Sequence, residues 1–227
     1  MIESTPIGYI RSPWSERFGI PRQAGLAKSI KCSLVLDGPG DMTQALRGLS
    51  EFSHIWILFY FHETKGKSWK PIVRPPRLGG KEGRGVFATR SPFRPNSIGL
   101  SAVKLLAIDL SQKHPVLEIE GGDFLDRTPL LDIKPYIPYA DMITTAEGAW
   151  ATDTDPILKI VWKASPPAKR LDQEAIEATI SLDPRPAWER GHDGEPGQSW
   201  GVRVANFQAR WTVSGGVATI VSLEPTI

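Results

Sequence analysis

Two arginines, an aromatic ring and two prolines sit within six residues, Arg90-Ser-Pro-Phe-Arg-Pro95. An arginine presents a planar fork of donors that matches a carboxylate or a phosphate. Two prolines in four residues bar a helix and a sheet interior, so the segment reads as a stiff loop. The same chain offers other polar groups at breaks in its apolar pattern. Asp123 and Asp126 lie three residues apart in Gly121-Gly-Asp-Phe-Leu-Asp126, and His62 closes the apolar run from Phe52. Arg22 and Gln23 directly follow Pro21. Stiff loops on a strand scaffold are where binding chemistry concentrates.

The charge distribution narrows the ligand. Net charge is only +2 over 227 residues, yet Lys65 to Arg94 holds nine basic residues and the single acid Glu82. The rest of the chain is therefore net acidic. A basic stripe on an acidic body fits a phosphate-bearing partner, with Lys65, Lys67 and Lys70 as candidate backbone contacts. Arg74-Pro-Pro-Arg-Leu-Gly-Gly80 is too irregular for a phosphate-cradling loop, and no Gly-Lys-Ser/Thr follows it. One cysteine, Cys32, leaves no internal disulfide or zinc cluster, and the four histidines lack metal-ligand spacing. No metal is expected. No Gly-x-Ser-x-Gly elbow points to a hydrolase. The run Ile55–Phe61 is too short to cross a bilayer, and no signal peptide is evident, so a cytoplasmic protein without membrane contact is expected.

The elements that must carry these residues are mostly strands. Ile7–Ile10 and Lys31–Leu36 read as short strands, and Phe52–His62 as a strand apolar, and so buried, on both faces. Val86–Ala88 reads as a strand opening the arginine loop. Asp41 caps a short helix with Gln44 at its third position. From Ile98 the alternation slips phase more than once, as in a bulged, closed sheet. Leu117 and Ile119 alternate with Glu118 and Glu120. Composition changes near Thr144, and 144–155 reads as a linker. Beyond it come a strand (156–163), a helix (171–182) with Leu171, Ala175, Ala178 and Leu182 on its apolar side, a long bulged strand from Trp200 to Val213, and a return strand after Gly215-Gly216. The expected architecture is mainly β (α+β): a β-barrel domain over 1–148 and a small α/β module over 149–227.

Several separated pieces resemble the TrmO/TsaA-like family of tRNA N6-threonylcarbamoyladenosine methyltransferases. They are Ile7-Gly-Tyr-Ile-Arg-Ser-Pro13, Pro21-Arg-Gln23, Phe52-Ser-His-Ile-Trp-Ile-Leu58, Arg74–Gly80, Gly85–Ser101, Asp132-Ile-Lys-Pro-Tyr136 and Asp183-Pro-Arg-Pro-Ala187. The resemblance implies a β-barrel enzyme that uses S-adenosylmethionine and is not a Rossmann protein. It implies methylation of N6 of a modified adenosine at position 37 of tRNA, and a homodimer with its site near the subunit interface. It implies cofactor contacts from Pro21, Arg22, Gln23, His62, Glu63, Arg90, Leu100, Asp123, Phe124, Leu125 and Asp126. Catalytic roles fall to Arg90 and to a base, Asp126 or His62. Arg90 or Arg94 would pair the substrate carboxylate, and Arg185 and Trp188 would help hold the anticodon arm. The alternatives are an RNA-binding module without chemistry, in which Phe93 and Trp188 grip bases, and a barrel that senses the cofactor without turnover.

Overall fold

The computed structural model describes residues 3–151 and 156–226. Six strands close an antiparallel barrel: β1 (Gly8–Arg11), β2 (Lys31–Val35), β3 (His54–Tyr60), β6 (Ile98–Asp109), β7 (Val116–Glu120) and β8 (Thr128–Pro135), in the order β1-β2-β7-β6-β3-β8. The short helix α1 (Met42–Ala45) lies between β2 and β3, with the Asp41 side chain accepting from Gln44 N at 3.0 Å. The two-residue strands β4 (Ile72–Val73) and β5 (Arg84–Gly85) form a small hairpin between β3 and β6. Alternation fills the barrel: Ile10, Leu34, Ile55, Ile57, Leu117, Ile119 and Leu130 are fully buried. Each contributes roughly 1.5–3 kcal/mol by leaving water. The phase slip in β6 is a real irregularity, a register shift between Leu105 and Ala107 opposite β7.

The register fixes which loops share a mouth. Arg11 pairs Ser33, Ile10 pairs Thr128, Lys31 pairs Glu120, and Tyr60 pairs Ile98. The ends of β1, β3 and β7 and the starts of β2, β6 and β8 therefore lie at one end of the barrel. Residues 12–30, 61–97 and 121–127 all open there. These are the three loops that hold nearly every candidate residue.

Beyond α2 (Pro138–Asp141), β9 (Lys159–Trp162), α3 (Arg170–Ser181), β10 (Trp200–Val204), β11 (Phe207–Ser214) and β12 (Val217–Pro225) build a second unit. Its sheet runs β10-β11-β12-β9, with β9 parallel to β12. It packs into the barrel's own core rather than hanging from it. Trp14, fully buried, donates from Nε1 to Thr179 Oγ1 at 2.9 Å, and Ala205 N donates to Pro13 O at 2.8 Å. The Thr152–Asp155 end of the expected linker lies outside the described residues.

Several expectations are corrected. Val86–Ala88 is a 3-10 turn, not a strand; the pairing there belongs to Arg84–Gly85. The Trp200–Val213 segment is two strands, because Ala205 and Asn206 both take left-handed φ, 51° and 64°, and reverse the chain. Strand β3 is buried on its inner face only; Trp56, Leu58 and Tyr60 are half-buried on the outside, where Tyr136 leans on Trp56 at 5.5 Å. Helix α3 buries Ala175, Ile176, Thr179 and Ile180, while Leu171 is exposed. The sequence pattern put that face one residue out of step, since Ile176 and Ile180 carry the apolar stripe.

The tightest internal fit pairs an aromatic with a glycine. Gly99 lies opposite Phe59 in the ladder, and a Cβ on Gly99 would come within 2.2 Å of a Phe59 ring carbon. Gly99→Ala should cost about 1–3 kcal/mol by overpacking, read as a lowered urea midpoint with an unchanged denaturant slope.

Candidate active site

At the barrel mouth three loops are held together by direct bonds. Gly25 N donates to Gly121 O at 2.8 Å, tying the 12–30 loop to the 121–127 loop. Arg90 Nη1 donates to the side-chain oxygen of Gln23, tying the proline-stiffened loop to the first. Ser101 Oγ donates to Asp123 Oδ1 at 2.7 Å, tying strand β6 to the last. Strand β6 reaches this point because it overshoots its neighbour: β7 ends at Glu120, opposite Lys104, so residues 98–103 of β6 rise past it. Gln23, Arg90 and Asp123, far apart in the chain, thus meet in one place.

The charge of Asp123 is set by competing causes. Burial pushes its pKa up most. The Ser101 hydroxyl, backbone donors and the Arg90 charge pull it down without cancelling the rise. Beneath this loop the buried Cys32 thiol is pushed up to about 12, chiefly by burial and further by Asp123, Glu118 and Asp126. A thiolate nucleophile is therefore absent at neutral pH. Among the described residues no group of three or more His, Cys, Asp or Glu is placed to hold a metal, and no helix is long and apolar enough to cross a membrane.

The remaining candidates divide by position. Pro21 is buried beneath its loop, with Arg22 exposed and Gln23 half-buried. His62 and Glu63 form a 3-10 turn at the end of β3, with His62 Nε2 4.0 Å from Glu63 Oε1. Thr64 closes that turn onto the arginine loop through Ser97 Oγ at 3.1 Å. Asp126 Oδ1 accepts from Ser12 N at 3.0 Å, and its own amide donates to Trp14 O, so it anchors the loop to the exit of β1. Leu125 O accepts from Thr128 Oγ1 at 2.7 Å. Leu100 points outward from β6, 53% exposed. Lys65, Lys67 and Lys70 are all exposed on the basic loop, and Trp188 is exposed on the second unit.

Three side chains do other work than expected. Phe124 is buried in the core, edge-on to Phe59 at 5.0 Å, so only its backbone faces the mouth. Arg94 Nη1 is spent on Val86 O and Thr89 O, at 3.1 and 2.8 Å, where it braces the turn beneath Arg90. Arg185 is only 1% exposed: Nε and Nη2 grip Asp183 at 2.7 and 2.8 Å, and Nη1 donates to His192 O at 3.0 Å. It cannot touch RNA directly; it shapes the loop that presents Trp188. Ser101 is the residue that sequence reading missed. Its signal is a polar side chain on the inward phase of β6, between Gly99 and Val103, with 5% exposure.

The Asp183–Arg185 pair makes a measurable claim. Arg185→Ala strands a buried carboxylate and should cost about 3–5 kcal/mol, whereas Asp183→Ala with Arg185→Ala should recover much of that loss. Urea unfolding of the three variants reads the cycle.

The comparisons fall in with this arrangement. The family model described as the tRNA-methyltransferase O N-terminal domain matches residues 9–142, and that of the TrmO C-terminal domain matches 162–226. A tRNA (adenine(37)-N6)-methyltransferase of Escherichia coli is 40% identical over 228 residues, 96% of each chain. A Pseudomonas aeruginosa protein named as an S-adenosylmethionine-dependent methyltransferase is 43% identical over 216 residues, 91% of this chain and 90% of that one. The crystal structure of TrmO from Pseudomonas aeruginosa superposes with a TM-score of 0.77 at 33% identity, covering 99% of this chain and 98% of that one. With its barrel and its second unit both matched, the chain belongs to the tRNA-methyltransferase O family.

Proposed function

We propose that this protein transfers a methyl group from S-adenosylmethionine to N6 of adenosine 37 in tRNA after that nitrogen has received a threonylcarbamoyl group. The observation that carries the reading is the meeting of Gln23, Arg90 and Asp123 at one barrel mouth beside a basic loop. The donor set suits the cofactor. Asp123 offers a carboxylate to ribose hydroxyls or to an amine, Arg90 and Gln23 offer donors to a carboxylate, and outward Leu100 offers an apolar surface. Bound there, S-adenosylmethionine would supply a methyl on a positively charged sulfur that becomes neutral on transfer. The protein's part is then mainly positioning.

The acceptor is a urea-type nitrogen, weak while it keeps its proton. Of the two candidate bases, Asp126 is committed through Oδ1 to the Ser12 amide, while the His62 ring makes a long contact to Glu63 among the described residues. His62 is the less committed group and takes the proton in this account. The substrate's threonine arm ends in a carboxylate. Arg90 is exposed at the mouth and pairs it, with Arg94 bracing the loop below. The stripe of Lys65, Lys67 and Lys70 contacts phosphates, and the second unit, through Trp188, steadies the anticodon arm. Outward Ile98 and Leu100 on β6 support a homodimer in which a second copy covers that face. A tRNA substrate supports a cytoplasmic location.

A substrate that lacks the carboxylate forgoes the charge-assisted pairing to Arg90 and is held and oriented less well. Methyl transfer to matched tRNAs with and without the threonylcarbamoyl group should differ by about a hundredfold or more in kcat/KM. Equal rates would refute the substrate while leaving methyl transfer standing. Arg90→Ala should erase the difference by losing activity on the modified tRNA, with an unchanged unfolding midpoint.

A further inference from the structure

The loop between β3 and β6 carries aromatic rings that the reaction does not use. Phe87 is 75% exposed and Trp69 is 48% exposed, with Ile72 exposed between the two segments that hold them. Large apolar side chains in such a cluster mark a contact surface. The hairpin brings them alongside one another. Ile72 pairs Gly85, Val86 N donates to Pro71 O at 2.9 Å, and Lys70 N donates to Phe93 O at 3.2 Å. Residues 69–72 therefore run beside both 85–87 and 93. Two of the rings already hold a cation on one face: the Arg94 guanidinium lies 5.7 Å from the centre of Phe87, and Lys70 Nζ lies 5.1 Å from that of Phe93.

We propose that Phe87 and Trp69 form a stacking platform for unpaired bases of the tRNA anticodon loop, with exposed Lys70 set to meet the phosphate between them and Arg94 backing the Phe87 ring from the loop it braces. The inference deepens the tRNA reading above and rests on it. Rings interleaved with cations are the chemistry that single-stranded nucleic acid needs, since every base has a face to stack and every linkage a charge to neutralise. Charge selects this occupant over a second copy of the chain. Residues 65–94 hold nine basic residues and one acid, so a two-fold contact through this hairpin would set like charges against each other. An unpaired base is also what the reaction demands, because N6 of adenosine is reached only when the base leaves its stack.

The test measures binding of a fluorescent anticodon stem-loop RNA by anisotropy, at one fixed salt concentration, with S-adenosylmethionine binding and sedimentation as companions. Phe87→Ala and Trp69→Ala should each weaken RNA binding about tenfold or more. Phe87→Tyr should bind as the wild type does, and Phe87→Leu, which keeps bulk but not a stacking face, should bind as Phe87→Ala does. Cofactor affinity and oligomeric state should stay unchanged throughout. Unchanged RNA binding in both alanine variants would overturn the platform, as would a change in oligomeric state, which would assign the surface to a second copy. Because the readout is binding, it stands apart from the methyl-transfer assay: loss of the platform leaves transfer to modified tRNA detectable, whereas failure of the tRNA reading removes transfer from the wild type itself.

Discussion

The hydrogen bond from Gly25 N to Gly121 O is the constraint on which the site depends. It closes the loop before β2 onto the loop after β7, and it can do so because Lys31 and Glu120 face each other in the ladder. Antiparallel closure dictates the rest. With six strands alternating in direction, the β1–β2, β3–β6 and β7–β8 connections must share an end. Topology brings the Arg90 and Gln23 loops to one end, and the bonds at the mouth bring the side chains together. The barrel itself is packed to fix that register: a one-residue slip would turn Ile55, Ile57 and Phe59 to solvent, and the Phe59 ring leaves no room for a side chain at position 99.

The two units of the chain are one packed body at their junction. Trp14 leaves β1, passes its indole to Thr179 on α3, and so ties the start of the 12–30 loop to the second core. Ser12 on the same turn holds Asp126 and, through its hydroxyl, Phe124 O at 2.7 Å. The loop that carries Asp123 is thus anchored at its far end by residues whose neighbours pack on the second unit. The buried Asp183–Arg185 pair works at another scale. It is a desolvated ion pair whose value lies in the loop it shapes rather than in net stability, and Trp188 owes its exposed position to that loop.

Much of this was legible in the sequence, for physical reasons that differ by element. Proline-stiffened loops, the apolar alternation of β7 and the phase slip of β6 are local signals, and they held. The Ala205–Asn206 reversal was hidden because no glycine marks it. The roles of Arg94 and Arg185 were hidden because a charged residue next to prolines reads alike whether it faces solvent or braces a turn. Ser101 was hidden because its partner lies across the barrel mouth, and only closure reveals that contact. Phe87 fell within the strand expected over Val86–Ala88 and nothing local marks Trp69, so only the folded hairpin shows both exposed.

The central claim is that the mouth of the barrel, with half-buried Asp123 as its acceptor, is the cofactor site. Calorimetric titration of S-adenosylmethionine into the wild type and Asp123→Asn across a pH series tests it most directly. Burial raises the Asp123 pKa, so the ionised acceptor is lost, as pH falls, at a higher pH than for an ordinary carboxyl group. The account predicts wild-type affinity that falls on acidification, with the fall beginning above the usual aspartate range. It predicts weaker binding by Asp123→Asn, about tenfold or more for a lost charge-assisted bond, with no such decline. Equal affinity of the two proteins at every pH would contradict it.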